Sequence, residues 1–171
     1  LKFGSSSFDN TAEGVMMLEF CLSQSQYFSA KLSRDVKSGN KCHLQRGQWI
    51  TVAKPGYLNK EEPITKEKYI DKDPERFDLI KNAFGLLFGG ERPMSVLRKL
   101  NDQWGYRTRK TKNLGDRRLS KASFYRIISD PFYYGDMVRK EGVFPGKHPA
   151  MITQEQFEKL QIMLGRKGRS R

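Results

Sequence analysis

The sequence predicts a mainly helical α+β protein: a long projecting helix followed by a small mixed helical domain with a short β-sheet. Three observations carry this. The run 11–46 has no proline and places Met17, Cys21, Phe28, Leu32 and Val36 at steps of four, seven, four and four, which is one face of a helix. Four helical patterns with stop or cap signals follow from Asp73 onward, and two β-prone runs, 106–112 and 132–140, lie among them.

The first helix would reach roughly 50 Å at 1.5 Å per residue, so its second half is expected to project from whatever core the first half joins. Val15, Met16, Met17, Leu18, Phe20 and Leu22 make that first half apolar nearly all round, which predicts burial, against a second subunit if not within the chain. Further on, Lys31, Arg34, Lys37, Lys41 and Arg46 recur at short helical intervals and would lay a cationic stripe suited to a run of phosphates. Gly39 is a weak point in the middle of it. The stretch 47–73 holds no sustained period and reads as a linker around Pro55-Gly56, although Trp49, Ile50, Val52 and Tyr57 need a surface to lie on.

A compact domain is expected over 74–165. Asp73 caps its first helix and Pro74 takes the first helical position, with Phe77, Ile80, Phe84 and Leu87 inward and Gly89-Gly90 as the stop. A second helix opens at Pro93, carries Val96, Leu100 and Trp104 and ends at Gly105. The basic run 106–112 predicts an edge strand or wing, followed by a loop through Asn113, Gly115 and Asp116. Leu119 before a Ser120 cap, with Phe124 four positions on, spells a hydrophobic staple; that helix turns Phe124, Ile127 and Ile128 inward and leaves Lys121, Ser123, Tyr125 and Arg126 outside. Phe132 to Lys140 reads as a strand. Thr153 with Gln156 forms a capping box, and Ile152 with Phe157 a staple, for a last helix that stops at Gly165.

Lys and Arg number 32 against 19 Asp and Glu, a net charge of +13 that points to a polyanionic partner, with nucleic acid first. The excess is local. Segment 31–60 holds seven cations and one acid, 92–126 eleven and two, whereas 61–91 between them is net acidic. Two separate basic surfaces meeting one long polyanion would produce this pattern; solvated faces are the plainer reading of either block alone. A basic tail occupies 166–171.

Much chemistry is excluded. No apolar stretch approaches the ~20 residues of a membrane span. Cys21 and Cys42 stand far apart with only His43 and His148 as further soft ligands, so no metal site is expected, and neither histidine sits in a catalytic setting. His148 is expected to shape a loop. Gly89-Gly90-Glu91-Arg92 lacks the Lys-Ser/Thr of a nucleotide loop. No catalytic residue and no cofactor is assigned within these 171 residues, and the start at Leu-Lys-Phe reads as a fragment of a longer protein.

The order of several short motifs narrows this further: Phe8-Asp9 and Gly14, Val36-Lys37-Ser38-Gly39, Arg46-Gly47-Gln48-Trp49, Pro55-Gly56-Tyr57, Leu119-Ser120-Lys121-Ala122-Ser123, Asp130-Pro131-Phe132-Tyr133-Tyr134-Gly135 and His148-Pro149-Ala150-Met151-Ile152. In this order and spacing the chain resembles a large serine recombinase over nearly its whole length. The resemblance implies that 1–10 ends a catalytic domain, 11–46 is a dimerisation and DNA-arm helix, 47–73 a linker and 74–165 a DNA-binding recombinase domain. It further implies a nucleophilic serine upstream, distinct from Ser5, Ser6 and Ser7, that forms 5′-phosphoserine links. A zinc ribbon is implied beyond Arg171. Where many members carry Glu-Arg and Arg on the arm this chain has Phe28-Ser29 and Asp35, which leaves Arg34 and Lys37 as substitutes.

The expected partners are double-stranded DNA, a second copy through the long helix and a tetramer in the synaptic complex, in the cytoplasm of a bacterial host and on its nucleoid when bound. The DNA-contacting residues expected are Arg34, Lys37, Lys41 and Arg46 on the arm, Lys54 and Tyr57 in the linker, Arg107, Arg109, Lys110 and Lys112 in the basic run, and Ser120, Lys121, Ser123, Tyr125 and Arg126 on the short helix. Half-site recognition for integration and excision follows. A non-enzymatic DNA-binding regulator and an RNA-associated basic protein are the alternatives.

Overall fold

The computed structural model describes residues 9–112 and 114–165, together with the backbone of two short strands before them, β1 (Lys2–Phe3) and β2 (Ser6–Ser7). Asn113, the basic tail 166–171 and the side chains of 1–8 lie outside the described residues, and with them the expected end of a catalytic domain. Among the described residues no helix is long and apolar enough to cross a membrane. The fold is mainly helical α+β and divides into two units, Leu1–Cys42 and His43–Arg171.

The first unit is dominated by α1 (Ala12–Gln45), whose last turn belongs to the second. It is helical straight through Gly39, around which there is open space. The expected burial of its first half does not occur within this chain: Met16, Met17 and Phe20 are 71, 57 and 63% exposed. A helix apolar on this many sides needs a second surface, and among the described residues the unit adds two short strands to it. Gly14 is required where it stands, because a Cβ there would meet the Asp9 carbonyl oxygen at 2.1 Å.

The second unit holds one core. Its elements are β3 (Tyr57–Glu61) and β4 (Lys68–Lys72), α2 (Phe77–Phe88), α3 (Pro93–Arg98) running into a π-helical turn (Lys99–Gln103), α4 (Lys121–Ile127), a 3₁₀ turn (Pro131–Tyr134), β5 (Asp136–Arg139), β6 (Gly142–Pro145) and α5 (Gln154–Met163). Each strand pair is an antiparallel hairpin, with Asn59 opposite Ile70 in the first and Val138 opposite Val143 in the second. Phe77, Ile80, Phe84 and Leu87 face inward from α2 as their spacing requires, and Val96, Leu100, Phe124, Ile127 and Leu160 close over them.

The stretch 47–73 is not a free linker. Tyr57 and Ile70 anchor the β3–β4 hairpin in the core, and Trp49, Ile50 and Ala53 pack against it. Trp49 donates its indole N–H to the Val52 carbonyl at 2.9 Å and lies edge-on to Phe132. Helix α2 begins three residues later than expected. Asp73 accepts from the Glu75 N–H and from the Arg76 guanidinium, whose Nε in turn donates to the Arg107 carbonyl, so 73–76 forms a turn tied into the tertiary frame before the helix starts. The single strand expected over Phe132 to Lys140 is instead a 3₁₀ turn, a left-handed Gly135 and then β5, because Asp130 caps the Phe132 N–H. The capping box of α5 forms as read: Thr153 Oγ1 accepts from Gln156 N–H and the Gln156 side chain from Thr153 N–H.

His148 does shape a loop. Its ring stacks on Phe132 at 3.7 Å and its Nε2–H donates to the Phe132 carbonyl at 2.6 Å, while Nδ1 is buried without a partner among the described residues. Burial is the leading influence and holds its pKa below the ordinary 6.5, against the smaller opposing effects of that hydrogen bond and of Asp130. A lowered folded pKa means that the unfolded chain binds the proton more readily. His148 therefore leaves stability intact above about pH 6.5 and removes it as the pH falls from there through its folded value. Urea midpoints at pH 7.5 and 5 are expected to differ for the chain, with the difference reduced in His148→Gln; equal pH dependence in both would contradict this.

Candidate nucleic-acid interface

Helix α4 is short, and its sequence determines how it is held. Ser120 Oγ accepts the Ser123 N–H at 3.2 Å, and the buried pair Leu119 and Phe124 brackets that cap. Phe124, Ile127 and Ile128 go to the core, which leaves Lys121 and Arg126 exposed and Ser123 and Tyr125 half-buried. Removing the cap with Ser120→Ala is expected to cost about 1 kcal/mol, read as a urea-midpoint shift; no shift would mean the cap is idle.

The basic run before α4 forms no strand. Among the described residues, hydrogen bonds cross it at Thr108 and at Thr111: Thr108 N–H donates to Arg117 C=O at 2.8 Å and Asp116 N–H to Thr108 C=O at 2.9 Å, while Thr111 N–H and Oγ1–H both donate to Leu114 C=O at 2.7 Å. The expected edge strand gives way to a pinned loop because its residues find partners within the loop and not on a neighbouring strand. Gly115 allows it. Its φ is +112°, and a Cβ there would lie 2.1 Å from the Arg109 carbonyl oxygen, so backbone meets backbone. Gly115→Ala is expected to cost more than about 1 kcal/mol through strain and clash, detectable as faster proteolysis within 106–118; unchanged cleavage would refute the close approach.

Charge on this face is not compensated. Arg109, Lys110, Lys112, Arg117, Lys121 and Arg126 are all exposed, and none has an ion pair among the described residues. Other cations of the second unit are paired, Lys54 with Asp130, Lys60 with Asp71, Arg76 with Asp73, Lys99 with Glu91 and, in the loop itself, Arg118 with Asp102, whereas Lys66, Lys81, Arg92, Arg98, Lys140 and Lys159 are exposed like those of the loop. On α1, Arg34, Lys37 and Lys41 are exposed at helical neighbour spacing, and Arg46 is exposed just beyond its end.

Three expected contact residues are placed otherwise. Tyr57 is 3% exposed, its hydroxyl donates to the Pro149 carbonyl at 2.7 Å, and burial raises its pKa; it is a core residue. Arg107 is half-buried and donates to the carbonyls of Asn101 and Tyr106, so it braces the loop. Lys54 is held by Asp130 and lies over the Trp49 ring. Arg117 lies within the basic block but is not singled out by the sequence; the closure of the loop places it opposite Thr108. Among the described residues no three His, Cys, Asp or Glu side chains converge as a metal site.

The class is thereby defined: a small mixed domain that carries six exposed cations, none with an ion pair among the described residues, along one pinned loop and the short helix after it. A family model described as Recombinase matches residues 74–167, more than half of the chain. The chain belongs to the Recombinase family. No curated protein matches the sequence. Among solved structures, a chain in "Sequence Requirements of the Listeria innocua prophage attP site" is similar at a TM-score of 0.57 and 17% identity, over 78% of this chain and 52% of that one. A chain in "Crystal Structure of a LSR-DNA Complex" is similar at 0.56 and 16% identity, over 77% of this chain and 38% of that one. This chain thus spans about half or less of the length of those it resembles.

Proposed function

We propose that these residues form the DNA-binding portion of a site-specific serine recombinase and recognise an attachment half-site for integration and excision. The observation that carries this is the set of six exposed, unpaired cations on the pinned loop and on and beside α4, inside the segment matched to the Recombinase family. Lys121, Ser123, Tyr125 and Arg126, with Ser120 at the cap, read base edges in the major groove, where each base pair presents its own donor and acceptor pattern. Arg109, Lys110 and Lys112, with Arg117, hold phosphates and fix the register. Arg34, Lys37 and Lys41 on α1, and Arg46 just after it, are further phosphate contacts. Likeness in fold to the chain of an LSR–DNA complex supports the same reading.

The exposed Met16, Met17 and Phe20 suit α1 to pairing with a second copy, as a dimer and, in the synapse, a tetramer. Strand exchange belongs to the whole recombinase, with the nucleophilic serine in a catalytic domain outside these residues; the phosphoserine link retains the phosphodiester's energy, so the chemistry needs no nucleotide. The working location is the cytoplasm of a bacterial host, at the nucleoid when bound. Selection of bound duplexes from a random pool tests the reading: an enriched motif, not displaced by structured RNA, is expected. A pool without enrichment, or RNA competing as well as duplex, would overturn it.

A further inference from the structure

The π-helical turn Lys99–Gln103 buries Leu100 and Asn101. Such turns give up regular helix bonding and recur at functional positions. This one ends the second helix of the domain, where three consecutive residues hold both stems of the basic loop. Leu100 C=O accepts from Tyr106 N–H at 2.9 Å and Asn101 C=O from the Arg107 guanidinium at 3.1 Å, both on the incoming stem. On the outgoing stem the buried Asn101 side chain makes a two-bond clasp, Nδ2–H to Leu119 C=O at 3.0 Å and Oδ1 from Leu119 N–H at 2.9 Å, while Asp102 pairs with Arg118. Leu119 is the residue before the Ser120 cap, so whatever fixes its backbone fixes where α4 starts.

We propose that this turn is a clamp which makes the loop and α4 one rigid unit, and that Asn101 is the positioning residue for base discrimination. The inference rests on the DNA reading above. Phosphates are contacted by flexible cations on the loop and tolerate small shifts, whereas base edges demand that α4 be aimed within a fraction of an ångström. Loosening the Asn101 clasp therefore erodes specificity while leaving general affinity.

The test uses the whole chain, the duplex it enriches from a random pool and a scrambled counterpart at the same salt. Asn101→Ala is expected to lower the affinity ratio of the two duplexes at least tenfold, to keep scrambled-duplex affinity within twofold, and to speed amide exchange at Leu119 at least tenfold. Asn101→Asp keeps the size and the acceptor but loses the donor to Leu119 C=O; it is expected to move the ratio and the exchange in the same direction, which guards against a simple failure to fold. Ile80→Val, a core truncation that lowers stability and leaves the clasp in place, is expected to hold the ratio within twofold. An unchanged ratio in both Asn101 variants, an equal fall in Ile80→Val, or unaltered Leu119 exchange would each overturn the proposal. A chain that enriches no duplex would overturn the DNA reading and the discrimination role with it, while exchange at Leu119 decides the clamp separately.

Discussion

Phe132→Ala is expected to lower the unfolding free energy of the second unit by about 3–5 kcal/mol. The ring is 1% exposed and is surrounded by other rings: His148 stacked at 3.7 Å, Trp49 edge-on at 4.8 Å and Tyr57 edge-on at 5.3 Å. These partners come from 47–73 and from the loop before α5, and Phe132 itself from the 3₁₀ turn, so the cavity would open where three segments meet and none can close it alone. Tyr133 beside it is fully buried, and its hydroxyl donates to the Pro55 carbonyl at 3.1 Å, which ties the same region down a second time. Urea unfolding followed by tryptophan fluorescence reads the loss. A change below about 1 kcal/mol, less than such a truncation costs in a packed core, would mean that 47–73 is not part of this core.

The second large effect is on DNA. Arg126→Ala is expected to cost about 1–3 kcal/mol and to relax preference at one base pair, while Lys110→Ala weakens all duplexes about equally and lowers the salt slope by about 1. Both side chains are exposed and unpaired, so neither change removes an internal contact and the two variants should unfold like the parent. Binding measured on the enriched and scrambled duplexes separates them. Equal, sequence-blind losses from both would place Arg126 on the backbone of the duplex and remove α4 from the groove.

Legibility from the sequence followed the range of the interactions. The α5 capping box, the Ser120 cap and the inward face of α2 were readable because their partners lie three or four residues apart, and helical geometry alone brings them together. The β3–β4 hairpin was not, because its two buried anchors, Tyr57 and Ile70, stand thirteen positions apart and no alternation links them. For the same reason Tyr57 could be mistaken for a contact residue: its aromatic ring suits a surface or a core, and only Phe77, Phe132 and His148 around it decide. The basic run 106–112 has the composition of a strand but no strand beside it, so local bonds at Thr108 and Thr111 take over. Lys110, Lys112, Lys121 and Arg126 are exposed, as a run of cations without ion-pair partners is in water. The bracing role of Arg107 and the clasp of Asn101 needed the fold, because each depends on a backbone group supplied by the loop's closure.

The most direct test of the central claim, that the DNA-facing charge of the folded domain after α1 is gathered on the loop and α4, is the salt dependence of duplex binding in two triple variants. Replacing Arg109, Lys110 and Lys112 with alanine is expected to reduce the slope of log K against log salt by about 2.7, at roughly 0.9 per phosphate released. Replacing Lys60, Lys66 and Lys68 on the β3–β4 hairpin removes the same charge and is expected to leave the slope within about 0.5 of the parent, well under the ~0.9 of one phosphate contact. Equal reductions in the two variants would contradict the account.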